Sequence, residues 1–215
     1  MLKTELSNIE QKLLSRHISA IGCLVSISLL SSFTDTHHPS VLNWFDGFMG
    51  GLAHPVLGLD HLVTILAIGL ISAGIVRGAL IPAAFVLATL LGMLNHLLHL
   101  HVPGAEIAIA FSTIVFAAIL LSPNRPNVLM LILLAASAGL FHGYTYTEAV
   151  LSATMPAQVT YMLGFTLTQY VVAMSAREIG NIISMGIKSI VPNFIRFTAF
   201  SLCAFGIVFL GNSMI

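Results

Sequence analysis

Long apolar runs alternate with short polar breaks along almost the whole chain. Seven of these runs approach the roughly 17–25 residues that a helix needs to cross a bilayer. They cover about 17–34, 58–76, 79–99, 105–122, 127–143, 156–176 and 192–211. Proline marks their edges and avoids their centres. Pro82 falls in the first turn of the third run, Pro103 precedes the fourth, and Pro123 and Pro126 separate the fourth from the fifth. Pro156 and Pro192 open the sixth and seventh. A missing N–H costs least at a helix start, where it has no intrahelical partner. The pattern predicts an all-α integral membrane protein with seven transmembrane helices.

Composition agrees with the pattern. Of 215 residues, 57% are apolar, and only 8 Lys or Arg and 8 Asp or Glu carry formal charge. A soluble domain carries roughly 25% charged residues. A water-soluble globule, a nucleic-acid binder and a disordered chain are therefore poor readings. With seven spans, all the basic residues, from Lys3 to Arg196, fall on one side. By the positive-inside rule this predicts a cytoplasmic N-terminus and an external C-terminus. The first run lacks a small-x-small cleavage site, and its basic region is long and mixed with acids, so it is expected to be a retained span. One polytopic domain is expected over 1–215: an arm and extra first span in 1–34, an external loop with an interfacial segment in 35–57, and a six-span core in 58–211. Its expected place is the bacterial inner membrane or an equivalent energy-transducing membrane. Cys23 and Cys203 form neither a disulfide framework nor a CxxC site.

The polar residues inside the apolar runs carry the chemistry. There are nine histidines. On the predicted topology only His17 is cytoplasmic; His37, His38, His54, His61, His96, His99, His101 and His142 share the other half of the membrane. His54 and His61 are seven residues apart, which puts them on one face of a continuous helix. His96 and His99, three apart, can also share a face. Asp60, Glu106 and Glu148 lie near the same side, and a carboxylate at membrane depth is costly unless it is used. Imidazole suits Ni, Co, Cu and Zn, and carboxylates hold charge or orient the rings. The candidate ligands are His54, Asp60, His61, His96, His99, Glu106, His142 and Glu148. Each has a bland alternative: interfacial hydrogen bonding for the histidines, and helix N-terminal placement for Glu106. The sixth run adds Thr160, Tyr161, Thr166, Thr168, Gln169 and Tyr170, a stripe that either lines a path or joins helices.

The run GLAHPVLGLDHLVTILAIGL at Gly51–Leu70, with its HPxxGxDH core at His54–His61, resembles the hallmark of the HupE/UreJ membrane proteins. VPGAEIAIAFS at Val102–Ser112 and LFHGYTYTE at Leu140–Glu148 resemble two further segments of that family. The resemblance implies a nickel or cobalt permease. It carries His54, Asp60, His61, Glu106, His142 and Glu148 over as site residues. This chain departs from the family pattern at Tyr144 and Tyr146, where relatives often have histidine, and near Gln169 and Ala173. His96 and His99 are additions to the pattern.

The leading expectation is a secondary or channel-like transporter moving Ni²⁺ or Co²⁺ into the cytoplasm, with Zn²⁺ or Cu²⁺ as alternative ions. It uses no prosthetic group and is not an enzyme. No HExxH, GxSxG, Walker loop or GxGxxG is present. Two other classes compete. One is a structural or accessory subunit of a larger membrane complex, with histidines holding a cofactor. The other is a zinc-dependent intramembrane hydrolase. Expected partners are the metal ion, the lipid bilayer and a larger complex or homo-oligomer, with no nucleic acid.

Overall fold

The structure is a computed structural model and describes residues 7–34, 43–186 and 191–212. Among the described residues there are eight α-helices: α1 Asn8–Thr34, α2 Trp44–Leu57, α3 Leu59–Ser72, α4 Leu80–Leu97, α5 Ala105–Leu121, α6 Val128–Tyr146, α7 Met155–Gly186 and α8 Val191–Asn212. A 3₁₀ turn at Thr147–Val150 links α6 to α7.

Local chemistry sets several of these boundaries. The Asn43 side chain accepts from the Phe45 and Asp46 amides and starts α2. Asn127 caps α6 in the same way through the Met130 amide. At the end of α4 the chain turns through His99, whose φ of 58° is left-handed, and the Leu100 amide closes back on the Asn95 carbonyl at 3.2 Å. The α3 helix stops at Ser72, and the chain then turns through Gly74 and Arg77, both at positive φ. The Gly74 amide donates to Asn181 of α7 at 2.7 Å. Arg125, in the α5–α6 connection, donates to the carbonyls of Ile71 at 3.2 Å and Ala73 at 2.7 Å. It thereby covers the carbonyl end of α3, where a cation is favoured. Burial pulls the guanidinium below its ordinary value.

Close helix contacts organise the packing. Gly139 and Gly143 of α6 form a GxxxG pair against α4, and Gly47 and Gly51 of α2 form another against α7. A Cβ at Gly143 would collide with the Thr89 carbonyl, and one at Gly92 would collide with the Leu140 carbonyl. Further contacts join α5 to α8 and α3 to α7. The larger apolar core contains Ile65, Ile68, Phe85, Phe116, Leu131 and Val172, and a smaller cluster contains Met93, Tyr146, Val150, Tyr161 and Phe165.

The expected seven spans are not found. Among the described residues, three helices are long and apolar enough to cross a membrane: Asn8–Leu29, Leu80–Leu97 and Val128–Tyr146. The number reaches four if α2 and α3, bent by 72°, form one broken span. The predicted run 58–76 yields a helix of only 14 residues, because the Gly74–Arg77 turn cuts it short. At 1.5 Å per residue that is about 21 Å, against about 30 Å of hydrocarbon. The α5 helix and the Ile195–Gly211 part of α8 are also short. The α7 helix is long, but Thr160, Thr166, Thr168, Gln169, Arg177 and Glu178 make it too polar to pass. With three or four spans among the described residues, the basic residues give no basis for a cytoplasmic N-terminus and an external C-terminus.

The segment expected as loop and interfacial element, 35–57, lies partly outside the described residues. Its remainder forms α2, with Gly47, Gly51, Leu52, Ala53, Pro55 and Val56 buried. Large apolar side chains such as Leu87, Leu91, Phe111, Leu133, Phe197 and Phe200 face outward. Multiple apolar helices with such surfaces make this an integral, multi-pass membrane protein.

The α4–α6 contact should be intolerant of any side chain. Gly143→Val and Gly92→Val should each lower stability by more than the roughly 1–3 kcal/mol of ordinary overpacking, because the obstructing atoms are backbone. Gly22→Ala, which meets nothing within 4 Å, should be silent. Thermal unfolding of the detergent-solubilised protein reads the difference; a stable Gly143→Val protein would refute the packing.

Candidate functional site

Three of the predicted histidines come together from three helices. His54 stands near the end of α2, His61 near the start of α3, and His142 in α6 beside Gly143. The continuous helix expected between His54 and His61 is absent. Gly58 leaves the helical region (φ −75°, ψ 104°) and separates α2 from α3. The imidazoles nevertheless stack, with ring centroids 5.4 Å apart and planes 24° apart. The break achieves what two turns of one helix were expected to do. His61 is 8% exposed and His142 is 0% exposed. Their centroids lie 6.1 Å apart.

Two tyrosines connect the histidines. The Tyr161 hydroxyl lies 2.7 Å from His54 Nδ1 and 3.2 Å from the Tyr146 carbonyl oxygen. A hydroxyl has one proton and a carbonyl only accepts. With that proton given to the carbonyl, His54 Nδ1 carries hydrogen and donates to Tyr161, which assigns the lone pair to Nε2. The Tyr146 ring packs edge-on against His61 at 3.8 Å between centroids, and its hydroxyl lies 2.6 Å from His142 Nδ1. His142 Nε2 is 3.4 Å from Ser112 Oγ, and Ser112 spends its own proton on the Ile109 carbonyl at 2.8 Å. The same proton count makes Tyr146 the donor to His142 Nδ1 and His142 Nε2 the donor to Ser112. In this arrangement His142 holds Tyr146 in place against His61. Phe165 closes one side, 4.5 Å from Tyr146 and 5.9 Å from His54 between centroids.

The remaining candidates lie in other settings. His96, on α4, bonds through Nδ1 to the Tyr144 carbonyl and stacks on the Tyr144 ring at 4.1 Å and 10°. His99 is exposed in the turn after α4. Glu106 is exposed in the first turn of α5, and Glu148 is exposed in the 3₁₀ turn. Asp60 belongs to α3, but its side chain lies outside the described residues, as do His37 and His38. Among the described residues no group of three or more His, Cys, Asp or Glu is arranged to hold a metal ion. The described arrangement is two stacked imidazoles with tyrosines around them.

Sequence reasoning underrates Tyr146 and Tyr161. In the sequence Tyr146 stands out only as a departure from histidine, and Tyr161 only as part of a polar stripe. The available signal is spacing: Tyr146 is one helical turn beyond His142, on the same face.

A cleft of about 730 Å³ lies between α4 and α7 and is lined by Val86, Leu90, Met162, Leu163 and other apolar residues, with Thr166 and Tyr170. None of the site histidines lines it, so a lipid-accessible substrate would enter away from them.

Comparison with known proteins identifies the family. Protein HupE of Rhizobium leguminosarum bv. viciae is 24% identical over 147 residues, covering 67% of this chain and 72% of that protein. No solved structure matches. The HupE / UreJ protein family matches residues 25–209, a stretch containing every candidate ligand and both tyrosines, and the chain belongs to that family, consistent with a non-enzymatic, permease-like membrane protein.

Proposed function

We propose that this protein is a secondary or channel-like transporter of a divalent transition-metal ion, Ni²⁺ or Co²⁺. The observation that carries the reading is the stacked His54–His61 pair, with His61 buried and His54 half-buried, at the break between α2 and α3. A broken helix at membrane depth places backbone polar groups where a bound ion can use them, and non-helical backbone is tolerated there only when buried or lining a cavity. Imidazole is a good ligand for these ions. Asp60, adjacent to His61 in sequence, supplies the charge in this reading. Tyr161 fixes the His54 tautomer, and the Tyr146–His142 pair braces His61. His99, Glu106 and Glu148, all exposed, serve as collecting groups. His96 serves the α4–α6 contact through Tyr144.

The inward position of His61 and His142 supports an ion site over a pigment site, whose ligands should face large apolar gaps. The two conditions of permeation also fit: the ligand set is mostly neutral, so the ion can be held without being trapped.

Two sets of variants test the reading. Asp60→Asn and His61→Ala should abolish accumulation of radioactive nickel or cobalt, normalised to folded protein in the membrane, while His99→Ala keeps most of it. Uptake at the unmodified rate in both Asp60→Asn and His61→Ala would overturn the site. Tyr161→Phe removes a hydroxyl that touches both His54 and the Tyr146 carbonyl. It should weaken metal binding about tenfold, as loss of a ligand-orienting group does. Isothermal titration of the purified protein with Ni²⁺ measures this, and an unchanged affinity would remove Tyr161 from the site.

A further inference from the structure

Gln169 of α7 is 0% exposed, and neither its Oε1 nor its Nε2 has a hydrogen-bond partner. Burying an amide without a partner costs roughly 2–7 kcal/mol against a fully apolar reference, and about 1–3 on the evidence of protein variants. Native interiors seldom keep such a group unless a water, an ion or a function accounts for it. An apolar residue of similar shape would fill the same space at no such cost.

Its place in the fold is specific. One turn earlier on α7, Phe165 belongs to the aromatic cluster around His54 and Tyr146. One turn later, Val172 and Ala173 belong to the larger apolar core. Gln169 therefore sits at the seam between them. Its neighbour Thr168 donates to the Leu52 carbonyl of α2 at 3.1 Å, while the Ala173 carbonyl abuts Gly69 of α3. The residue thus lies at the level where α7 passes from packing on α2 to packing on α3. Buried polar groups continue along α3 and α5 too. Thr64, one turn beyond His61, shares a 2.9 Å hydrogen bond with Thr113 of α5, both fully buried. Thr113 adjoins Ser112, the partner of His142.

We propose that the Gln169 carboxamide is a second station for the permeant ion, beyond the histidines, with Oε1 contacting the ion or its hydration water. This rests on the metal-transport reading above. A neutral amide dipole suits such a station, because it replaces part of a hydration shell without adding a charge that would hold the ion. Val172 and Ala173, one turn further on, belong to an apolar core, so a neutral oxygen at Gln169 changes the barrier for a partly dehydrated cation.

The test uses the full-length protein and three variants. Gln169→Met keeps the volume and removes the amide; Gln169→Glu adds charge; His61→Ala is the control for the first site. Ni²⁺ binding is measured by titration in detergent, and Ni²⁺ uptake is measured per folded molecule in proteoliposomes. Gln169→Met should bind Ni²⁺ with unchanged affinity, unfold at the same or a higher temperature, and lose about tenfold in initial uptake rate, at the low end of losses for groups around a metal. Gln169→Glu should bind Ni²⁺ at least as tightly yet also transport more slowly. His61→Ala should lose both binding and uptake. Uptake by Gln169→Met at the unmodified rate overturns the inference; if its unfolding temperature also falls, the amide holds a structural water. A loss of rate matched by an equal loss of affinity overturns it as well, because Gln169 would then belong to the histidine site. Intact uptake in His61→Ala overturns the histidine site and this inference with it, whereas no Ni²⁺ uptake by the unmodified protein refutes the transport reading itself.

Discussion

Two helix backbones reach contact only where no Cβ stands between them, and the histidine cluster depends on two such contacts. Gly139 and Gly143 seat α6 on α4, and Gly47 and Gly51 seat α2 on α7. In lipid there is little hydrophobic drive to join helices, so this close backbone approach carries a large part of the association. Each contact also delivers a site residue. His142 immediately precedes Gly143, and His54 follows Gly51 by three positions. The α7 side of the second contact carries Tyr161, whose own carbonyl is what a Cβ at Gly51 would strike. The geometry of the site is thus fixed by backbone carbonyls, which do not repack as side chains do.

The break between α2 and α3 adds a second constraint. A continuous helix would carry the chain straight past α7, whereas the 72° bend at Gly58 brings His61 under His54 and against Tyr146. The short α3 then has to be held at its far end. Arg125 and Asn181 do this from two other parts of the chain, one bonding the last carbonyls and the other the Gly74 amide. Both anchors are polar side chains at a helix terminus, where orphaned backbone groups must find partners.

Much of this is legible in the sequence, and the parts that are not have identifiable causes. Each of the seven apolar runs overlaps a helix, because composition and proline placement are local signals. The span count fails because hydropathy does not register backbone reversal. Residues 58–76 are apolar throughout most of their length, yet Gly74 and Arg77 adopt positive φ and the helix ends at Ser72. The pairing of His54 and His61 follows from the sequence, but for the wrong reason: a break, not helical periodicity, brings the rings together. Residue type alone groups His96 with the other ligands, whereas its stacking on Tyr144 depends on the α4–α6 register, which no spacing rule supplies. GxxxG spacing alone does not identify the close contacts: Gly47–Gly51 and Gly139–Gly143 make them, Gly74–Gly78 lies in a turn, and the single Gly92 meets the Leu140 carbonyl as closely as the pairs meet theirs.

The buried polar groups form an ordered set. Around His54 and His61, the hydroxyls of Tyr146, Tyr161 and Ser112 are all committed to named acceptors, so that network is rigid and pre-oriented. Beyond them, Thr64 and Thr113 share one hydrogen bond while Thr113 donates to the Ile109 carbonyl, and Gln169 stands with both amide atoms unpaired. A fold selected only for stability would place partners on Gln169 or replace it with an apolar residue, since the half-satisfied state is the costly one. The gradient runs from a saturated network, which holds ligands still, to an unsaturated amide, which retains capacity to interact. A site that must first bind a cation and then release it needs both: fixed donors where the hydration shell is first stripped, and spare, uncharged polarity along the way out.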